Sequence, residues 1–200
     1  MINISHFINS FSSFISDKTI QPWEAIDNLD NILKDQLENV TADFVTTESC
    51  TIHPTAIVEQ NVTFKGRIII DEGAFIGANA YIRGPVYIGK NVKIGPGSEI
   101  KQSMIFEETA VAHFNYIGNS IIGSRVNFEA GSICANHYNE RKDKEISVLF
   151  NAEIIKTGIQ KFGSLVGDDS KIGANAVLSP GTILVRESIV KRLELVEQLP

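Results

Sequence analysis

Residues 76–101 read IGANAYIRGPVYIGKNVKIGPGSEIK, with isoleucine at 76, 82, 88, 94 and 100. An α-helix returns its buried face every 3.6 residues and a strand every second one, so a beat of six calls for short strands joined by tight corners. The beat extends outward in both directions. Upstream it runs through Ile70, Phe64, Val58 and Ile52, and downstream it reaches Phe106 and Ala112, eleven positions in strict phase. A fixed period sustained this long marks a solenoid, in which each coil packs only on its neighbours.

Past Ala112 the phase is expected to break, because the next apolar anchors are Ile122, Phe128 and Cys134, and a bulge is expected around Gly118. Residues 136–145, NHYNERKDKE, are too polar for a buried rung and are expected to project as a loop. Regular spacing is expected to resume with Val148, Ile154, Gln160, Val166, Ile172, Leu178 and Leu184.

The two ends differ in kind. Residues 1–48 hold no glycine, the first being Gly66, and Trp23, Ile26, Leu29, Ile32, Leu33 and Leu37 follow Pro22 at spacings of three and four. That pattern predicts an amphipathic helix ending near Val40, with a weaker helix over residues 2–16, together covering one end of the solenoid. The tail spaces Ile189, Leu193 and Val196 helically and is expected to cap the other end. The organisation is thus a helical segment over 1–48, the repeat domain over 49–186 and a helical tail over 187–200.

A chain of 200 residues, 43% apolar, suits one water-soluble domain. No apolar run approaches the ~18 residues of a membrane span, and the N-terminus lacks a basic start, so neither a membrane partner nor a signal peptide is expected. Two distant cysteines, Cys50 and Cys134, suggest neither a disulfide framework nor a zinc site, and a cytoplasmic location is the default. A formal charge of −6 argues against nucleic acid as a partner. The glycine-free N-terminal segment cannot form a glycine-rich phosphate loop.

Arg83 and Lys101 are eighteen residues apart, one full coil if three hexads make a turn, so they stack at the ~4.8 Å spacing of adjacent strands. Two cations so placed either sit against something anionic, such as a phosphate, or coincide as solvated surface groups. His113, in AHFNYIG, lies where the regular phase ends, and breaks in a solenoid make grooves. An imidazole there is a candidate general base or an ordinary hydrogen-bonded histidine. Tyr116, Asn127 and Asn136 are close in sequence and carry hydrogen-bonding groups, though Asn is also a corner residue. Arg141, Lys142 and Lys144 face Glu140, Asp143 and Glu145 in a loop that reads equally as a solvated mixed-charge surface.

The rungs IGANAY, IGKNVK, IGPGSE and IGANAV resemble those of the hexapeptide-repeat proteins. That resemblance implies an all-β fold, a left-handed parallel β-helix, and assembly as a homotrimer. RGPVYIGKNVKIGPGSEIK, AHFNYIGNSIIGSRVNFEAGSICAN and SLVGDDSKIGANAVLSPGTIL are similar to the acetyltransferase half of the bifunctional proteins that acetylate glucosamine 1-phosphate and uridylylate the product, over roughly residues 50–185. PWEAIDNLDNIL is similar to the segment joining the two halves in archaeal-type members. The resemblance implies an acetyl-CoA-dependent N-acetyltransferase for an amino sugar 1-phosphate. It makes His113 the general base, places Arg83 and Lys101 on the sugar phosphate, and puts Tyr116, Asn127 and Lys142 on the sugar. Ala130 and Asn136 would lie beside the acetyl and pantetheine part of acetyl-CoA, and no metal is implied. Departures from the family are the missing uridylyltransferase half, the long charged loop over 136–145, and Phe162 and Pro180 where small residues line the family's CoA channel. Alternatives are a non-catalytic β-helix partner of a nucleotidyltransferase, and a γ-type carbonic anhydrase, which needs three zinc-bound imidazoles where the chain has His6, His53, His113 and His137.

Overall fold

The computed structural model describes residues 1–38, 44–46 and 50–199. The repeat folds as a β-solenoid of about eight turns, the left-handed parallel β-helix that the sequence motifs imply. Each coil crosses three faces. On the first, strands Glu99–Ile105, Tyr116–Gly118, Ile133–Cys134 and Val177–Leu178 pair in parallel, with Tyr116 opposite Glu99 and Ile133. On the second, Met104, Ile121 and Leu165 stand in register, and on the third Lys93, Ala110, Asn127 and Lys171 do. The first corner joins the third face to the first, and the second corner joins the first face to the second.

The interior is a column of aliphatic side chains. Ile76, Ile82, Ile88, Ile94 and Ile100 are each fully buried in one cluster, as the beat of six requires. The next inward residues are Ile105 and Val111, not Phe106 and Ala112. The coil loses one residue between Ile100 and Ile105, and another between Ile117 and Ile122, so the phase slips earlier than the apolar pattern suggests. Phe106 kept the beat only because it is buried on the outside of the solenoid, in a second apolar cluster. The pairing registers carry the same shift: Arg83 pairs with Lys101, eighteen residues on, while Val86 pairs with Ser103, seventeen on.

The N-terminal segment corrects a second expectation. It forms a 3-10 turn, Ile4–His6, and three helices, α1 (Phe11–Phe14), α2 (Pro22–Asp27) and α3 (Leu29–Leu37), with the chain redirected at Asn28 where one helix was expected. The expected end near Val40 lies outside the described residues. These helices cover the side of the solenoid, not its end: Trp23, Ile26, Leu29 and Leu33 pack with Ile69, Met104, Ile121, Leu165 and Ile183, which with Tyr87 between Ile69 and Met104 are the outward residues of six successive coils on the second face. A β-face that is apolar on both sides needs such a cover. Polar ties fix it in place. The carboxylate of Asp168, 1% exposed, accepts from the Asn9 N–H at 3.0 Å and the Ser124 N–H at 2.8 Å.

The loop beginning at residue 136 is longer than its charge suggested. Ser147–Phe150 and Glu153–Lys156 form an antiparallel hairpin, so Val148, Ile154 and Gln160 are not rungs, and the solenoid resumes only at Ser164–Val166. Ile121 therefore pairs with Leu165, 44 residues on. Phe162 is fully buried beneath the N-terminal segment, its ring 6.2 Å from Trp23, and the Pro180 carbonyl accepts from the Tyr138 hydroxyl at 3.0 Å. The C-terminal tail is not helical. Ile189–Val190 and Leu195–Val196 continue the parallel ladders, because Val190 and Val196 keep the inward beat of six that the helical spacing of Ile189, Leu193 and Val196 obscured.

Candidate functional site

His113 sits in the first corner, between strands Ala110–Val111 and Tyr116–Gly118. Its ring is exposed while its backbone is fixed. The carbonyl accepts from the Gly131 N–H of the next coil at 3.1 Å and from the Asn115 amide at 3.3 Å. Asn115 is itself buried in a stack with Ser98 and Ser132, where its Oδ1 accepts the Ser132 N–H at 2.9 Å. Phe114 follows in the left-handed region, φ 59°, with its ring 71% exposed and edge-on to the imidazole at 5.8 Å.

Ala130 occupies the same corner one coil further on. In two other coils a glutamate at this corner closes off the equivalent N–H, Glu59 accepting from Ala78 at 2.7 Å and Glu129 from Ala174 at 2.9 Å, while Gly77, Gly95 and Gly173 hold the glutamate's position in three more. In the coil of His113 the glutamate's place is taken by Ala112, which has no acceptor to offer. Among the described residues the Ala130 N–H has no hydrogen-bond partner.

The first face carries the charged groups. Arg83 and Lys101 are cross-strand partners, and Gly118 is next in the row. Arg83 donates to Glu99 at 2.8 Å and lies over the Tyr81 ring at 5.5 Å. Lys101 is different: burial first, then the neighbouring Lys161 and Arg83 cations, hold its pKa below the ordinary lysine value, against the opposing pull of Glu99. Tyr116 leans along its strand over Gly118, where a Cβ would come within 2.8 Å of the ring. Burial raises its pKa, with Glu99 adding, while Arg83 and a hydrogen bond with Asn136 oppose. Asn136 in turn donates to Asn119 Oδ1 at 2.6 Å and meets His137 Nδ1 at 3.1 Å.

Arg83, Lys101, Tyr116 and Asn136 thus gather on one face within one chain, and His113 and Ala130 stand on the corner that borders it. Asn127 does not join them. It is exposed on the third face, bordering a groove of about 450 Å³ with Glu129, Lys171 and Arg192. Lys142 lies beside Arg141, which stacks 3.5 Å from the Tyr138 ring centroid and donates to the Leu199 carbonyl at 3.1 Å, near the last coil. The lysine brought to Lys101 is Lys161, at the exit of the hairpin, which the sequence reading missed. The only local signal was a cation two residues before Gly163, where the coil is rejoined. Among the described residues no group of three or more His, Cys, Asp or Glu could hold a metal, and no helix is long and apolar enough to cross a membrane.

Residues 165–191 match the hexapeptide repeat of succinyl-transferase, on coils that pair in parallel at an eighteen-residue register. The chain belongs to the hexapeptide-repeat family. Residues 64–138 of this hexapeptide-repeat chain match the GMPPB C-terminal domain. It is 33% identical over 188 residues to the bifunctional protein GlmU of Methanococcus vannielii, covering 85% of this chain and 41% of that protein. It is 38% identical over 143 residues to the bifunctional sugar-1-phosphate nucleotidylyltransferase/acetyltransferase of Sulfurisphaera tokodaii, covering 62% of this chain and 35% of that protein. The chain therefore spans less than half the length of these relatives. A hexapeptide transferase family protein from Anaplasma phagocytophilum superposes with a TM-score of 0.51 at 21% identity, covering 70% of this chain and 72% of that one, which shows a shared fold.

Proposed function

We propose that this chain is an acetyl-CoA-dependent N-acetyltransferase acting on an amino sugar phosphate. The observation that carries the reading is the cation row of the first face. Glu99 neutralises Arg83, but Lys101 is left half desolvated beside a second lysine, an arrangement that a bound phosphate relieves. Lys161 adds a third cation to this row, whereas Lys142, expected on the sugar, follows Arg141 near the last coil.

The chemistry follows from residue types. An amino sugar is mostly ammonium at neutral pH, and its nitrogen attacks only after losing a proton. The exposed His113 imidazole, carried on a backbone tied at two points, takes that proton. The amine then bonds to the thioester carbonyl carbon of acetyl-CoA, and the free Ala130 N–H stabilises the oxyanion of the tetrahedral intermediate. As the intermediate collapses the carbon–sulfur bond breaks, the thiolate recovers the proton from the imidazolium, and the nitrogen releases its second proton to solvent to give the neutral amide. Phosphate held by Arg83, Lys101 and Lys161 fixes the amine relative to His113, so that remote binding energy orients the reacting atom. Tyr116 lines the path between, with Asn136 in hydrogen-bond contact with it from beside Asn119.

Homotrimer formation completes this reading. The N-terminal segment covers only the second face, and the other two faces meet at the corner of His113, where Phe114 and Leu193 are 71% and 79% exposed. Burying that edge against neighbouring copies brings the third face of one chain, with Asn127, toward the first face of the next. The deciding experiment is a thiol-release assay with acetyl-CoA against glucosamine 1-phosphate, galactosamine 1-phosphate and nucleotide-linked amino sugars. Release with at least one acceptor is expected. No release with any would leave a non-catalytic β-helix.

A further inference from the structure

A separate cavity of about 300 Å³ opens at the second corner, lined by Asp27, Gln102, Asn119, Ile159, Gln160 and Lys161. That size falls at the lower end for small-molecule sites. Its position along the coil is informative. Running from His113, the first face passes Tyr116, then the row Arg83, Lys101 and Gly118, and only then Asn119 and Gln102 at the corner. The cation row lies between the proposed base and the cavity, with Lys161 shared by both. A sugar monophosphate with its amine at His113 ends at the cations and leaves the cavity empty.

The lining does not suit a second terminal phosphate. One ammonium, Lys161, is balanced by one carboxylate, Asp27, and three amides supply donors and acceptors in equal number. Such a wall fits a neutral, polar group whose own N–H or O–H donors meet the carboxylate. Its outer side is built by the N-terminal segment, and that side is fixed. Ile26, beside Asp27, is fully buried, its carbonyl accepts from Gln102 Nε2 at 3.1 Å, and Arg67 clamps Asp30 at 3.0 Å. Gln102 turns the second corner with a left-handed backbone, φ 43°, as Phe114 and Leu193 do at the first.

Resting on the acetyltransferase reading, we infer that the acceptor is a nucleoside diphosphate-linked amino sugar, its diphosphate along Arg83, Lys101 and Lys161 and its nucleoside in the cavity, with Asp27 as the specificity-determining residue. Asp27 accepts from ribose hydroxyl or base N–H groups and disfavours an extra anionic oxygen at the same place.

The test is the ratio of kcat/KM for UDP- or GDP-linked glucosamine to that for glucosamine 1-phosphate, in the wild type and in Asp27→Asn and Gln160→Ala. The expected result is a wild-type preference of at least tenfold for a nucleotide-linked acceptor. In Asp27→Asn its KM rises about tenfold with kcat unchanged, while the KM of the sugar 1-phosphate is unmoved, and Gln160→Ala changes the ratio in the same direction. A wild-type preference for the sugar 1-phosphate, or equal changes for both acceptors in Asp27→Asn, overturns the inference and leaves the acetyltransferase standing. No thiol release with any acceptor removes both.

Discussion

At the residue scale the functional consequence turns on Lys101 and its neighbours. A lysine is charged below its pKa, so its hold on a phosphate is present at lower pH and lost as pH rises through a folded value that lies below the ordinary one. The kcat/KM of the free enzyme for its acceptor is therefore expected to fall on the alkaline side earlier than an ordinary lysine allows. Lys161→Ala removes the cation that, after burial, lowers this pKa most, and is expected to move the alkaline limb upward while raising the acceptor KM roughly tenfold, the cost of one charge-assisted contact. Lys142→Ala is expected to change that KM less than twofold. Steady-state kinetics from pH 6 to 10 on the two variants, roughly spanning neutral His and Lys titration, check both statements. Tyr116 offers a second test. Gly118→Ala places a Cβ against its ring, so the variant is expected to fold with an unchanged circular dichroism spectrum and a raised acceptor KM.

At the scale of elements, the N-terminal helices are structural parts of the solenoid and not appendages. Leu29 is fully buried between α3 and the second face, and Leu29→Ala is expected to cost about 2–5 kcal/mol, read as a lowered Tm. The same comparison shows what the amino-acid pattern could reveal. Interior positions were legible from Ile52 to Ile100 because each coil there keeps eighteen residues and the inward side chains on the beat are, apart from Phe64, all aliphatic. Phe106 was misread since the N-terminal segment makes outward positions of the second face apolar too, and apolar character then no longer distinguishes inside from outside; Ala112 followed from it by the beat of six. The hairpin over 147–156 was misread for a related reason: Val148 is fully buried, but against the same side cluster. In the tail, spacings of three and four in Ile189, Leu193 and Val196 mimic a helix, whereas Leu193 is an exposed corner residue at φ 62°. Arg83 and Lys101 were legible because they lie before or beside the first slip in register, and His113 and Tyr116 because they precede the second. Lys161 was hidden by an insertion whose length only the fold fixes.

At the scale of the whole molecule, one covered face and two open ones set the direction of assembly. The open faces meet at the edge carrying His113, Phe114 and Leu193, so association through that edge brings His113 and the third face of one copy toward the first face of another. Sedimentation equilibrium is expected to give three times the 22.0 kDa chain mass, and Leu193→Asp combined with Phe114→Asp is expected to shift the protein toward monomer. Activity is expected to fall with it, because in the proposed trimer Asn127 meets the acceptor across that edge. The account as a whole rests on one proton transfer. Thiol release from acetyl-CoA, measured with the best acceptor for the wild type and for His113→Ala at equal trimer content, tests it most directly. The predicted result is a loss of about 10²–10⁴-fold in kcat, the contribution of a positioned general base, with acceptor KM little changed. A His113→Ala trimer that turns over at the wild-type rate would contradict it.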